Sequence, residues 1–393
     1  AAWFGYPAEQ LTIIGLTGTK GKTTTAAMTK KILEEAGFRV GMIGTMGAFI
    51  GDEKTETQNT TPESFELHSL FRKMLDAGCT HVVMEASSQG FKLKRTDGIR
   101  FAYGAFLNLS TDHISPAEHK DFDEYRDGKR IMFTQTDVAV ANTDTDHWQY
   151  VTAGTNPLTV SIHHPADLTV SDIESVWETG ILGSRFSVHG AYSGDILLNM
   201  PGIFNISNAL VAMAIASAMG IDFDTVARAL PKVSVKGRTQ LIREASHIGT
   251  FIIDYAHNAL SAESLIEMLK SYNPKRIILL FGTGGNRAKQ RRYDLGLAAG
   301  RSADLSILTN DNVRFDDPDE IISQIIEGIN VYGGKYEVIK DREKAIHRAM
   351  DICQSGDIVA LLGKGHEEYQ EIKGVKYPFS EEKIIKEYAA KKL

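Results

Sequence analysis

Seven short, continuous apolar runs, each ending on a polar or glycine-rich cluster, constrain this 393-residue chain more than any other feature. Leu11-Thr12-Ile13-Ile14 enters Gly15-Leu16-Thr17-Gly18, His81-Val82-Val83-Met84 ends at Glu85, and the run over residues 103–107 reaches Asn108. The run over 250–253 stops at Asp254. Those over 276–281, 305–308 and 358–362 enter Gly282-Thr283-Gly284-Gly285-Asn286, Asn310-Asp311-Asn312 and Gly363-Lys364-Gly365-His366-Glu367. Runs of this length read as strands buried on both faces. Amphipathic segments follow many of them, residues 24–36 and 261–269 among them. Strand alternating with helix implies α/β architecture with doubly wound parallel sheets, which bind ligands at the carboxyl ends of their strands. The polar clusters fall at those ends.

The stretch 158–198 breaks the pattern. It is rich in Thr, Ser and Val with glycines at 180, 183, 190 and 194, and reads as a small antiparallel extension of hairpins. A helical stretch over 205–230 ends at Pro231, and a second strand series starts near Gly249. The expected division is a central domain over 1–236 and a C-terminal α/β domain over 237–393, closed by an amphipathic helix over 381–393.

Forty-three basic against fifty acidic residues give a net charge of −7, with no Lys/Arg block. Nucleic-acid binding and attraction to anionic membranes are poorly served by that balance. Cys79 and Cys353 cannot form a disulfide framework or a cysteine zinc site, and both read as small buried hydrophobes. No apolar run approaches ~18 residues. The expectation is a cytoplasmic monomer with no membrane insertion.

Thr17-Gly18-Thr19-Lys20-Gly21-Lys22-Thr23-Thr24-Thr25 follows a strand and opens a helix, the context a phosphate-binding loop requires. Backbone N–H groups of such a loop turn onto phosphate oxygens at a helix N-terminus. Lys22 would reach the β- and γ-phosphates of ATP, and the Thr23 hydroxyl would ligate Mg²⁺. The strict pattern wants glycine where Leu16 stands. Glu85 at a strand end suits the same ion, since Mg²⁺ prefers carboxylate, hydroxyl and phosphate oxygen.

With this departure from the strict motif, the loop resembles that of the Mur ligases. Further motifs follow in the family's order along almost the whole chain: Asn59-Thr60-Thr61-Pro62-Glu63, Met84-Glu85-Ala86-Ser87-Ser88, residues 108–113, residues 202–208, Gly237-Arg238, residues 254–258, Gly284-Gly285-Asn286-Arg287, Asp311-Asn312-Val313-Arg314 and residues 363–367. They look like the member that adds the third peptide residue to UDP-N-acetylmuramoyl-L-alanyl-D-glutamate. The resemblance implies a P-loop ATPase-type, mostly parallel central sheet followed by a Rossmann-like C-terminal domain. Trp3 and the residues up to Leu11 resemble the segment joining the family's N-terminal UDP-binding domain to the phosphate loop, so the expectation is a fragment of a longer enzyme, favoured over a natural short form whose acyl substrate carries no UDP.

The resemblance also assigns roles. Gly18, Thr19, Lys20, Gly21, Lys22, Thr23, Thr24, Asn205, Asn208, Arg238 and Asp254 would hold ATP. Asn205 and Asn208 read otherwise as capping residues, and Asp254 as a helix cap. Thr23, Glu85, His113 and Lys129 would serve two Mg²⁺ ions, with Lys129 carbamylated by CO₂. From the sequence alone His113 is a hydrogen-bonded loop histidine and Lys129 a solvated helix lysine. Asn59, Thr60, Thr61, Ser87 and Arg95 would hold the muramoyl dipeptide. Asp311, Asn312, Arg314, Gly363 and Glu367 would hold the incoming diamino acid. Meso-diaminopimelate is favoured over lysine because Arg314 suits an extra carboxylate, although Val313 replaces the signature proline and Arg314 could instead pair with Asp316 or Asp317.

The chemistry implied is ATP-driven amide formation. The substrate carboxylate attacks the γ-phosphorus, and an acyl phosphate is then displaced by the amine. Lys22, Lys129, His113 and Arg287 form the catalytic set, and closure of the second domain is expected to assemble it. Two alternatives stand beside this: a folylpolyglutamate- or cyanophycin-synthetase-like ligase acting on an acyl substrate without UDP, or a P-loop ATP-binding module without ligase activity.

Overall fold

In a computed structural model the residues described are 1–392, apart from Asp52, Asp112, His113 and 115–117. The chain forms two compact units. The first is Ala1–Glu174, Ser184–Asn199 and Ile203–Val233; the second is Ser175–Gly183, Met200–Gly202 and Ser234–Leu393.

The first sheet has eleven strands. Its strand order places Phe101–Phe106, Thr12–Thr17, His81–Glu85 and Val40–Gly44 side by side in its middle. These four pair in parallel, with Leu16 opposite both Glu85 and Ala105. The chain thus leaves the Thr12–Thr17 strand for one side of the sheet and later returns to the other. That strand end is the topological switch point at which ligands bind. Gly47–Ile50 and Glu53–Thr55 continue antiparallel at one edge. The extension at the other edge differs from the expected hairpins in its first strand: Leu158–Ser161 pairs in parallel with Thr136–Asn142 and with Leu168–Glu178. Beyond it the expected hairpins follow: Leu168–Glu178 neighbours Ile181–Gly190 across a two-residue turn, and Ile181–Gly190 pairs antiparallel with Gly194–Leu198. The expected helix over 205–230 is two helices, Ile203–Ala218 and Phe223–Ala229. Gly220 turns left-handed between them (φ 74), and the Asp222 carboxylate caps the second by accepting from Thr225 N.

The second sheet runs Gln240–Leu241, Thr250–Asp254, Asp357–Leu362, Arg276–Phe281, Leu305–Leu308, Tyr336–Val338, parallel after the first pair. Alternate residues face opposite ways along a strand. Ile252, Ile277, Leu279, Phe281, Ile358, Ala360 and Leu362 accordingly enter one core cluster, while Phe251, Ile253, Ile278, Leu280, Val359 and Leu361 enter another. Each of these Val, Leu, Ile and Phe side chains contributes roughly 1.5–3 kcal/mol by burial. Burial on both faces is why these strands read as unbroken apolar runs. Cys79 is buried as expected, but Cys353 is only half-buried, and desolvation pushes its thiol up to about 11.

Candidate functional site

The phosphate loop lies between the Thr12–Thr17 strand and the Lys22–Glu35 helix. Gly21 precedes the helix with φ 86, and a Cβ there would stand 2.3 Å from Asn208 Oδ1. Only glycine fits, which explains the Gly-Lys-Thr order sterically. Asn208 donates to Asn205 Oδ1 at 3.2 Å, and both are buried inside the helix rather than capping it. Lys22 Nζ folds back over the loop, donating to Gly18 O (2.7 Å) and Thr19 O (3.2 Å). Thr19 and Lys20 are strapped by Asn108, whose Oδ1 accepts from both backbone N–H groups at 3.1 and 2.9 Å. Tyr125 donates its hydroxyl proton to Thr19 Oγ1 at 3.0 Å.

Thr23 and Glu85 meet as the spacing suggests. The Thr23 hydroxyl donates to Glu85 Oε1 at 2.9 Å. Thr45, which no motif flagged, holds the same carboxylate with its N–H (3.0 Å to Oε1) and its hydroxyl (3.1 Å to Oε2). Its signal was positional: it follows Val40–Gly44, the strand beside His81–Glu85. A carboxylate ringed by hydroxyls at a phosphate loop fits a hard, oxygen-seeking cation such as Mg²⁺. Among the described residues no group of three or more His, Cys, Asp or Glu side chains converges on a metal position. The remaining expected ligand, His113, lies outside the described residues.

Lys129 is not a solvated helix lysine. It sits on the Phe122–Arg130 helix at 1% exposure, with its ammonium 4.3 Å from the Tyr125 ring centre. The next residue toward the N-terminus, Gly128, packs on Ser88, and Ser88 shares a 2.9 Å hydrogen bond with His119.

Of the expected dipeptide-binding residues, three hold the loop after Glu85. Thr61 is fully buried and donates to Glu85 O at 3.0 Å. Ser87 caps the short helix Ser88–Lys92. Arg95 donates to Thr61 O (3.1 Å) and pairs with Glu63 (2.6 Å). Thr60 shares a 3.0 Å hydrogen bond with Thr45, and Asn59 is half-exposed beside it.

In the second unit the carboxyl ends of four parallel strands gather the rest. Asp254 is not a helix cap: it accepts from Thr239 N (2.7 Å) and Ala256 N (2.8 Å), while Asn258 caps the following helix. Burial pushes the Asp254 carboxyl up, against those two hydrogen bonds and Arg238. The Arg238 guanidinium lies 4.9 Å from the Tyr255 ring centre. Gly237, at φ 67, packs so closely on Gly365-His366 that a Cβ would fall 2.2 Å from backbone. Arg287 is exposed, and its charge acts on Tyr255, His257 and Arg291.

Lys364 is the hub of the remaining cluster and was missed as a site residue. It is wholly buried and donates to Asp311 Oδ1 (3.3 Å) and Asn312 Oδ1 (3.2 Å). Asn312 in turn donates to Glu367 Oε2 at 2.8 Å. Desolvation pushes the Glu367 carboxyl up, opposed by Lys364 and the Asn312 hydrogen bond. Arg314 pairs with neither Asp316 nor Asp317. Its Nε donates to Glu371 at 3.1 Å and its Nη1 to Gly285 O at 3.1 Å, while Asp316 is taken by buried Arg292. A cation and a carboxylate are thereby placed on one sheet edge, an arrangement that can grip an amino-carboxylate group.

Comparison with known proteins bears on the whole chain. Residues 16–216 match the Mur ligase middle domain, and residues 237–365 match the Mur ligase, glutamate ligase domain. UDP-N-acetylmuramoyl-L-alanyl-D-glutamate–2,6-diaminopimelate ligases are among the relatives. That of Caldanaerobacter subterraneus is 39% identical over 99% of this chain and 80% of its own length. That of Clostridium perfringens is 36% identical over 98% and 79%. A solved structure of a ligase of that name is 30% identical, with a TM-score of 0.74 over 97% of this chain and 79% of its own. Folylpolyglutamate synthase from Thermotoga maritima shares the fold, with a TM-score of 0.70 at 17% identity over 91% of this chain and 88% of its own. Among the described residues no helix is long and apolar enough to cross a membrane. Phosphate loop, strand-end carboxylate and two matching domains over residues 16–216 and 237–365 together place the chain in the Mur ligases, a family of ATP-dependent, ADP-forming ligases.

Proposed function

We propose that this chain joins a diamino acid, meso-diaminopimelate rather than L-lysine, to UDP-N-acetylmuramoyl-L-alanyl-D-glutamate in peptidoglycan precursor synthesis. The observation that carries the acceptor assignment is the placing of Arg314 and Glu367 on one strand-end cluster, joined through Asn312. The guanidinium suits the distal carboxylate and Glu367 the distal ammonium, which lysine and diaminopimelate share only in part. The relatives' names support the same acceptor.

In this reading residues 1–236 form the ATP-binding domain and 237–393 the amino-acid-binding domain. The loop Gly18 to Thr24 cradles the phosphates, with Lys22 leaving its two carbonyl partners for phosphate oxygen. Asn205, Asn208, Arg238 and Asp254 hold the rest of the nucleotide. Asn59, Thr60, Thr61, Ser87 and Arg95 position the dipeptide, whose carboxylate attacks the γ-phosphorus and releases ADP. Thr23 and Glu85 would hold one magnesium ion, and His113 and Lys129 a second, which would supply charge neutralisation. Lys129 serves there as its carbamate, formed from the neutral amine and CO₂ with loss of one proton. Its near-complete burial supports that role, since a lysine is almost never fully buried unless its charge is answered. Lys22 and Arg287 stabilise the transferring phosphoryl group. The acceptor amine then displaces phosphate from the acyl phosphate, losing its proton. We assign the enzyme to the cytoplasm as a monomer.

The test is to incubate the chain with Mg-ATP, bicarbonate, UDP-N-acetylmuramoyl-L-Ala-D-Glu and either amine, reading products by mass. A tripeptide product with diaminopimelate and little with lysine is expected. ATP hydrolysis that proceeds without an acyl or amine substrate would overturn the reading.

A further inference from the structure

The guanidinium of Arg314 is already answered by a carboxylate of the chain itself. Arg314 has a left-handed backbone (φ 51), and the hairpin Tyr369–Ile372 / Val375–Pro378 is stitched to it. Arg314 N donates to Glu371 O at 3.0 Å, and Lys373 N donates to Arg314 O at 2.7 Å. Glu371 N donates to Asn312 Oδ1 at 2.9 Å. These backbone contacts fix residue 371 and deliver its carboxylate to Arg314 Nε at 3.1 Å. Gly285 O takes Nη1, and among the described residues no hydrogen bond engages Nη2. Nη2 is therefore the group left for an acceptor carboxylate, with Glu371 beside it on the Nε of the same guanidinium.

We propose that Glu371 is a specificity-determining residue: a built-in carboxylate that competes with the acceptor's distal carboxylate for the charge of Arg314. The inference rests on the reading of Arg314 and Glu367 as acceptor-binding residues. One guanidinium faces two carboxylates once the acceptor arrives, so the second binds against a residual negative charge. An acceptor gains net affinity only if it also brings an ammonium to Glu367. Glu371 thus lowers affinity for simple carboxylates at this position and keeps recognition dependent on both charges. Arg314 and Glu371 are 25% and 21% exposed, so solvent screens the repulsion without removing it. A unit charge at ~6 Å in such a setting changes affinity about three- to tenfold.

The experiment is calorimetric titration of the 393-residue chain with meso-diaminopimelate and with L-lysine, at low and at high salt. Glu371→Gln keeps an oxygen for Arg314 Nε and the N–H for Asn312 but deletes the charge. It is expected to bind diaminopimelate about three- to tenfold tighter and lysine within about twofold of wild type, the gain shrinking in high salt. Glu371→Ala keeps the backbone contacts and carries the same expected direction should the Gln variant fold poorly. Unchanged or weaker diaminopimelate binding in a variant that melts like wild type overturns the proposal. A wild type that binds neither amine, or an Arg314→Gln variant that binds diaminopimelate as tightly as wild type, removes the acceptor reading itself and this inference with it.

Discussion

Replacing Lys364 with methionine isolates the hub of the second unit's cluster. The side chain is wholly buried, and Asp311, its ion-pair partner at 3.3 Å, is 8% exposed. Methionine fills a similar volume, so the cavity contribution is small, and the loss is electrostatic. Deleting one member of a buried pair leaves the other charge without compensation, which costs about 3–5 kcal/mol. Asn312 Oδ1 loses a donor at 3.2 Å as well but keeps Glu371 N, so its share is minor. At ~2–4 °C per kcal/mol for a unit of this size, the melting temperature of the second unit falls by roughly 6–20 °C. Trp177 reports on that unit: its indole N–H donates to Thr250 Oγ1 at 2.9 Å, while Trp3 and Trp148 belong to the first. Urea unfolding followed by Trp177 fluorescence, with the other two tryptophans replaced by phenylalanine, gives the number. Adding Asp311→Asn removes one of the two stranded charges, Glu367 at 3.9 Å being the other, so the double variant recovers part of the loss. A Lys364→Met variant within about 1 kcal/mol of wild type, or a double variant whose losses simply add, would refute the buried-pair account.

Three further outcomes follow from the first unit. Gly21→Ala forces a side chain into a left-handed backbone and into Asn208, so ATP affinity drops at least about tenfold while the chain stays folded, as calorimetry beside circular dichroism will show. Lys22→Met removes the side-chain ammonium bonded to Gly18 and Thr19, and nucleotide affinity falls about ten- to hundredfold by the same titration. His81 is buried and desolvation holds it below its ordinary 6.5. The unfolded chain therefore takes up the proton first, and the stability that neutral His81 supplies is present above about pH 6.5 and lost as pH falls below it. Stability of His81→Gln measured from pH 7.5 to 5 should decline less than that of wild type; parallel curves would contradict this.

The sequence carried the architecture where a physical constraint is continuous along the chain. Strands buried on both faces must be apolar at every position, so Ile277 to Phe281 and Ile358 to Leu362 were visible as strands, and the clusters after them as strand-end loops. Pairing partners leave no such local mark. Leu158–Ser161 has the composition of a hairpin strand yet pairs in parallel on both sides, because its neighbours are set by the sheet and not by its own residues. Thr23 and Glu85 were legible as a pair, each ending or following an apolar strand beside the same glycine-rich turn. Thr45 and Asn108 as a loop strap were not, since a threonine or asparagine in a turn looks the same whether or not a carboxylate or backbone N–H faces it. Lys364 hid for the opposite reason. A lysine between two glycines reads as exposed, and only three dimensions reveal that Asp311 and Asn312 draw it inside.

The two units do not follow one another along the chain as beads on a string. Ser175–Gly183 and Met200–Gly202 leave the first unit's stretch of sequence and count with the second. Leu182 enters the second unit's apolar core, Tyr272 donates its hydroxyl to Gly183 O at 2.8 Å, and Trp177 reaches Thr250. A piece starting near residue 234 would therefore carry an open groove where Leu182 belongs and a tyrosine hydroxyl stripped of its acceptor. Anyone exchanging this half for a relative's, to alter the choice of amine, would have to transplant a distant strip of the first half along with it, and the seams of such a chimera number five cuts rather than one.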